Sequence, residues 1–379
     1  MPGRTRFFGT LCIAAVTLCA STAVGRADTD TPAGYTEARE ILQRLITIDG
    51  APGALLAVNG PRGRTVLSSG VADIRTGAEM LDDNRFRIGS MTKMFVATVV
   101  LQLVGEDRIA LDAAIERYLP GVVEGGNEIT VRQLLQHTSG VPDYVQYLDM
   151  NQVLQSMSAH YEPRELVQLA LAHPRVFAPG TGWDYSNTNY LLAGMLIEKV
   201  TGQPSGAEIE RRILQPLGLR DTSVPGDLST IPGAHPRGYA KPADSLIDLT
   251  EFNPSIAGAS GQMISSTSDM ERFLTALLGG RLLRPAELQE MMTTRPIGDA
   301  GGNAYGLGLT SSPLPCSGSY WGHDGDIFGF STISGAMMDG RSATIMVNLN
   351  PGGSDARATD MRAALNSALC ESNSAQPAR

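Results

Sequence analysis

The sequence predicts an α/β fold: an antiparallel sheet built from both chain ends and flanked by helices, with an inserted all-α lobe. Strand-like apolar runs occur near the amino end, at 53–58 and 65–72, and again near the carboxy end, at 305–309, 320–323, 328–337 and 342–349. Between them, from about 111 to 253, short helical patterns alternate with Pro, Gly and Asp loops, and amphipathic or apolar helical patterns bracket both groups of strands. Of 379 residues, 42% are hydrophobic and 18% charged, enough apolar material for a large core and too little charge for a disordered chain.

Taken in order, residues 1–27 read as an export signal: Arg4 and Arg6 precede an apolar run from Phe7 to Ala20, with small residues at cleavage points after Ala23 or Ala27. The run is too short to anchor in a bilayer, so a secreted or periplasmic protein without a stable membrane anchor is expected. Ala38, Ile41, Leu42, Leu45 and Ile46 at helical spacing give an amphipathic helix over 35–49, followed by a hairpin whose turn is Asn59-Gly60-Pro61. Residues 90–104 form an apolar helix with no polar face, which places it inside the domain. Helices are read at 131–136, 163–172, 188–201 and 205–217 in the lobe, then at 266–278, 285–292 and 354–369. The expected organisation is a signal peptide over 1–27, an α/β domain from 28–107 and 256–379, and an all-helical lobe over 108–255.

A formal charge of -9 gives no electrostatic reason for nucleic acid as a partner. The five histidines show no metal-ligand spacing and no glycine loop follows a strand to cradle phosphate, so neither metal nor cofactor is expected. No Gly-x-Ser-x-Gly elbow occurs. Outside the signal, Cys316 and Cys370 form one disulfide or remain two buried thiols.

Three short motifs carry chemistry. In Gly89-Ser90-Met91-Thr92-Lys93 the serine opens the apolar helix and the lysine follows on the same face, amid Met91, Met94, Phe95 and Val96, where a lysine requires a specific partner. Tyr185-Ser186-Asn187 lies in a polar turn ahead of a helix, and Gly322-His323-Asp324-Gly325 ends a short aromatic strand. Helix capping by Ser90, Ser186 or Asn187, and a purely structural His323, are the alternatives for each motif alone. Together they supply an acyl-transfer site: Ser90 as nucleophile, Lys93 and Tyr185 as the proton-handling pair, and backbone N–H groups of Ser90 and the strand after His323 for an oxyanion. Lys93 beside Tyr185 could hold it as phenolate, or burial could make Lys93 itself the base; both readings stay open.

Phe86-Arg87-Ile88-Gly89-Ser90-Met91-Thr92-Lys93, the run from Ile129 to Gly140 containing His137-Thr138-Ser139-Gly140, Tyr185-Ser186-Asn187-Thr188-Asn189-Tyr190 and Gly322-His323-Asp324-Gly325 together resemble the penicillin-recognising serine hydrolases of β-lactamase-like fold. The branch most similar is the secreted D-alanyl-D-alanine carboxypeptidase type. The resemblance implies a Ser90 acyl-enzyme, catalytic Lys93, Tyr185 and His323, substrate contacts from Asn187, Asp324, Gly325, Asp326 and Thr310, and an oxyanion hole from the Ser90 and Asp326 amides. It also implies a Cys316–Cys370 disulfide, no cofactor, a monomer, and a small peptide or β-lactam as partner.

The sequence departs from that branch where hydroxyl and basic residues receive the substrate carboxylate: Asp324, Asp326 and Thr310 occupy those positions. Two carboxylates repel an incoming carboxylate and suit an amine. The activity the resemblance implies is a D-alanyl-D-alanine carboxypeptidase acting on peptidoglycan-type peptides, whereas the departure favours a D-aminopeptidase or D-amino-acid amidase or an endopeptidase, with an esterase or a β-lactamase as further alternatives on the same chemistry. A penicillin-binding sensor without turnover is the alternative from another class.

Overall fold

The computed structural model describes residues 34–61, 63–242 and 245–371. The export signal read at 1–27 lies outside them.

The chain opens with α1 (Thr36–Thr47), whose Ala38, Ile41, Leu42 and Leu45 form the buried stripe read from their spacing. Strands β1 (Gly53–Gly60) and β2 (Gly63–Asp73) make the hairpin, with Gly60 opposite Gly63, and β3 (Ala78–Glu79) and β4 (Phe86–Arg87) follow. A 3-10 turn at Gly89–Met91 leads into α2 (Thr92–Gly105). Then come α3 (Val131–Leu135), α4 (Met150–Gln155), α5 (Pro163–Leu171), α6 (Thr188–Thr201), α7 (Ser205–Ile209) and α8 (Gln215–Leu217). Thr130 and Gln133 form a reciprocal capping box that fixes where α3 begins. A ribbon of β5 (Tyr239–Ala240) and β6 (Ile247–Asp248) precedes β7 (Ile264–Ser265), α9 (Thr267–Leu278) and α10 (Pro285–Met291). The chain ends through β8 (Arg295–Pro296), β9 (Ala304–Tyr305), β10 (Thr310–Pro313), β11 (Ser319–Ile327), β12 (Phe330–Ala336), β13 (Ser342–Val347) and α11 (Arg357–Glu371).

Nine strands form one antiparallel sheet in the order β3-β2-β1-β13-β12-β11-β10-β9-β8, so the two chain ends meet where β1 pairs with β13. The sheet is covered on both faces, and β1 shows it: Leu55 points to a core shared with α2 and α9, whereas Leu56 points to a core shared with α1 and α11. On β13, Met346 and its neighbours Ile345 and Val347 divide in the same way. Phe95 of α2 stacks on Phe273 of α9 at 3.8 Å between ring centroids. Cys316, in the turn between β10 and β11, is bonded to Cys370 of α11.

Three local expectations are corrected. The run 305–309 is no strand: only Tyr305 belongs to β9, and Gly306–Leu309 form a turn in which Gly308 adopts φ 74°. Residues 205–217 form no continuous α-helix, because a π-helical segment at Glu210–Leu214 separates α7 from α8. His323 sits in the middle of β11 instead of at a strand end.

Candidate active site

The fold places Ser90 at the base of a cleft. Gly89, which precedes it, adopts φ 51°, and a β-carbon there would lie 2.8 Å from the Asp326 amide nitrogen, so the turn carrying Ser90 lies directly against β11. The same closeness recurs at Gly325, where a β-carbon would lie 2.0 Å from the Ile88 carbonyl oxygen. Ser90 makes no side-chain cap of its turn, and neither does Asn187 at the start of α6, so capping does not account for either residue.

Lys93, in the first turn of α2, is fully buried among the apolar residues of that helix. Its Nζ lies 2.9 Å from Ser90 Oγ, 2.8 Å from Asn187 Oδ1 and 2.7 Å from the Ser260 carbonyl oxygen. Burial pushes the ammonium down to about 7, against the opposing pull of Asp143 and Asp324. The Asn187 amide is oriented by Asp143, whose Oδ2 accepts from Asn187 Nδ2 at 3.0 Å while its Oδ1 accepts the Asn187 main-chain N–H at 3.1 Å. This leaves the second Nδ2 hydrogen for a ligand. Desolvation holds the Asp143 carboxyl above its ordinary range.

Tyr185 stands beside the pair, its ring centroid 4.9 Å from Lys93 Nζ. Burial keeps its phenol well above the ordinary tyrosine value, with the hydrogen bond to Ser90 acting the other way. It is therefore a phenol, not a phenolate, near neutral pH.

A cavity of about 610 Å³ opens onto these groups. Ser90, Tyr185, Asn187, Thr310, His323, Asp324, Gly325 and Asp326 all line it, so the residues singled out in sequence converge on one space, with Lys93 buried just behind. The cavity lining includes apolar residues, Val145, Leu148, Met150, Trp183, Ile256 and Phe328. It also includes charged ones: Asp299, Asp324, Asp326 and Arg362 of α11, whose guanidinium lies 3.8 Å from Asp324 Oδ2. Asp326 accepts a hydrogen bond from the Ser331 hydroxyl, and desolvation raises its carboxyl. His323 faces the cavity from a buried position, bonded to the Tyr305 hydroxyl at 2.9 Å and to the Asp324 carbonyl.

Sequence reasoning missed Asp143, Ser260, Tyr305, Asp299 and Arg362. Asp143 lies three residues beyond the run that ends at Gly140, and Tyr305 opens the run 305–309 read as a strand. The Ser260 contribution is a main-chain oxygen, which any residue type could supply. Arg362 arrives from a helix read only as packing. Among the described residues no cluster of His, Cys, Asp or Glu has the arrangement of a metal site, and no helix is long and apolar enough to cross a membrane.

The geometry can be set beside known proteins. The profile of the Beta-lactamase family matches residues 38–368. Among solved structures, a D-stereospecific amidohydrolase from Streptomyces sp. is 40% identical, with a TM-score of 0.80 over 86% of this chain and 98% of that one. A D-amino acid amidase from Ochrobactrum anthropi SV3 is 32% identical, with a TM-score of 0.80 over 90% of this chain and 99% of that one. Among curated relatives, penicillin-binding protein 4* of Bacillus subtilis (strain 168) is 26% identical over 78% of this chain and 67% of its own length. The first eight curated relatives are matched over 33% to 67% of their own lengths. With the profile spanning nearly all of the described residues and the fold matching along its length, the chain belongs to the Beta-lactamase family and is a serine hydrolase of that family.

Proposed function

We propose that the protein hydrolyses amides of D-amino acids that carry a free ammonium group, through an acyl-enzyme on Ser90. The observation that carries this reading is the charge of the cavity lining: three carboxylates, Asp299, Asp324 and Asp326, against one arginine, in the cavity that also holds the nucleophile. A net negative lining attracts an ammonium and repels a terminal carboxylate. The apolar lining residues suit a bulky side chain. The D-configuration is taken from the two amide-hydrolysing structures named above.

The chemistry follows from the hydrogen-bond partners. Asn187 Oδ1 and the Ser260 carbonyl can only accept, so they hold two N–H groups of Lys93 and turn the third position toward Ser90 Oγ. In the neutral lysine that position is a lone pair, which takes the Ser90 proton as Oγ attacks the carbonyl carbon. The Ser90 amide lies in the first turn of a helix, where no internal acceptor is available, and with the Asp326 amide it receives the developing oxyanion. Tyr185, kept as a phenol, gives its proton to the departing ammonia or amine and recovers one from Lys93. Water then attacks the ester, its proton passing back through the same groups, and Ser90 is restored.

A second reading rests on Arg362: its guanidinium at the cavity wall could receive a terminal carboxylate, as a D-alanyl-D-alanine carboxypeptidase requires. Parallel assays separate the two, with D-phenylalanine amide, its L-enantiomer, N-acetyl-D-phenylalanine amide and an N-acylated D-alanyl-D-alanine peptide. Ammonia release from the D-amide, with little from the N-acetyl compound, is expected. Preferential release of D-alanine from the acylated peptide would establish the carboxypeptidase reading. A penicillin adduct on Ser90 with no turnover of any substrate would make the protein a binding protein.

A further inference from the structure

Three buried rings, two of them lining the cleft and the third, His137, behind them, belong to no step of the reaction above. His137 follows α3 with φ 59°, Tyr305 ends β9, and His323 lies on β11. The direction of every hydrogen bond between them can be deduced. His137 Nδ1 lies 3.2 Å from the Ser186 main-chain N–H and 3.3 Å from Asn189 Nδ2. The Asn189 amide is itself oriented, since Ser139 Oγ accepts the Val141 N–H at 3.1 Å and donates to Asn189 Oδ1 at 2.6 Å. A ring nitrogen that receives a backbone N–H carries no hydrogen, so neutral His137 holds its hydrogen on Nε2.

That hydrogen faces Tyr305 Oη at 3.3 Å, and the single Tyr305 hydroxyl hydrogen is left for His323 Nε2 at 2.9 Å. At the far end His323 Nδ1 meets the Asp324 carbonyl, which can only accept, so the His323 hydrogen sits on Nδ1. Both ends of the chain are thus fixed by main-chain groups, one in the turn that carries Tyr185 and Asn187, the other in the strand that carries the Asp326 amide.

We propose that His137 and Tyr305 are positioning residues for hydrolysis: they lock His323 as its neutral Nδ1–H tautomer and thereby tie the Tyr185 turn to the oxyanion strand. The proposal rests on the acyl-enzyme reading for its effect on rate, but not for the tautomers. Both ring nitrogens of His323 are occupied, so it holds strand β11 in register and carries no proton to substrate. The titratable groups around the chain are Lys93 of α2, Tyr185 ahead of α6, Tyr190 of α6 and Asp324 of β11. Burial lowers both histidines and the Lys93 ammonium adds to it, while at His323 the Asp324 carboxylate, 3.4 Å from Nδ1, acts the other way. Protonating His323 would set a second N–H against a phenol oxygen that already receives one from His137.

Long-range proton–nitrogen NMR on the labelled protein, with ring signals assigned by single histidine substitutions, reads the tautomers directly. The expected result is His323 as Nδ1–H and His137 as Nε2–H, both uncharged at about pH 7. Tyr305→Phe removes only the central hydroxyl. It should release the His323 tautomer and slow acylation of Ser90 about tenfold or more, with KM for D-phenylalanine amide changed less than about twofold. An Nε2–H or charged His323 in the unmodified protein overturns the proposal whether or not the variant folds. An unchanged acylation rate in a folded Tyr305→Phe variant overturns it as well. If no substrate or penicillin ever labels Ser90, the acyl-enzyme reading fails while the tautomer pattern is still observed.

Discussion

At the scale of single residues, Lys93 decides the pH behaviour. In the proposed reaction its neutral form is the base, and burial brings its ionisation down to about 7. The value of kcat/KM should therefore rise with pH through about 7 and, for D-phenylalanine amide, fall again as the substrate ammonium loses its proton at about pH 8. Tyr185 must remain protonated, and its phenol is held well above the ordinary value, so kcat at saturating substrate should show no falling limb from Tyr185 below about pH 10. Initial rates across that range test the assignment; a limb that rises only near pH 10 would remove Lys93 from the base role. The same burial affects stability with a definite sign. Between about 7 and 10.5 the unfolded chain binds a proton at Lys93 that the folded chain does not, so this residue's contribution to stability grows as pH rises across that window. Replacing Tyr185 with Phe keeps the ring and removes the proton. Acylation measured by rapid-quench mass spectrometry should fall by about a hundredfold or more, and a rate close to that of the unmodified protein would leave Lys93 to handle both protons.

At the scale of elements, the site depends on how closely the Ser90 turn meets β11. Gly325→Ala would drive a β-carbon to 2.0 Å from the Ile88 carbonyl oxygen, a main-chain atom two residues before Ser90. The variant should lose about 1–3 kcal/mol of stability to overpacking and most of its activity, because the displaced strand carries the Asp326 amide. Chemical denaturation and steady-state rates on one preparation check both; normal stability and activity together would mean that the turn and the strand can separate without cost. The elements that were legible in the sequence are those whose residues declare one environment. α6 runs over Thr188–Thr201 as read, because its apolar spacing is unbroken until Gly202 with φ 74° ends it. The run from Tyr305 to Leu309 misled because alternating apolar residues and glycines look like a strand. Gly308 instead turns the chain under the catalytic helix, so close that a β-carbon would lie 3.0 Å from the Lys93 carbonyl. A tertiary approach of that kind leaves no periodic trace.

At the scale of the whole molecule, the site is assembled from segments far apart in the chain, and this limited what the sequence could disclose. Ser90, Lys93, Tyr185 and His323 were legible because each is an unusual residue in its local setting, most clearly a lysine inside an apolar helix. Asp143 and Arg362 were not, since an acid in a loop and an arginine on an amphipathic helix are ordinary until the fold brings them to the cavity. Arg362 reaches it because α11 packs with α1 on the sheet face away from α2, and the end of that helix is fastened to the β10–β11 turn by Cys316–Cys370. The bridge closes a loop with a sequence separation of 54, which in the chain-entropy account is worth about 4 kcal/mol, often less in practice. A Cys316→Ala, Cys370→Ala double variant should therefore unfold at a lower denaturant concentration, with about 2–4 kcal/mol lost. Neither cysteine lines the cavity, so turnover well below the unfolding transition should stay within about twofold of the unmodified protein. Equal midpoints for the two proteins under oxidising conditions would show that packing of α1 and α11 on the sheet fixes the carboxy-terminal helix without the bridge. Lost turnover with little lost stability would instead mean that the bridge sets the position of Arg362 at the cavity wall.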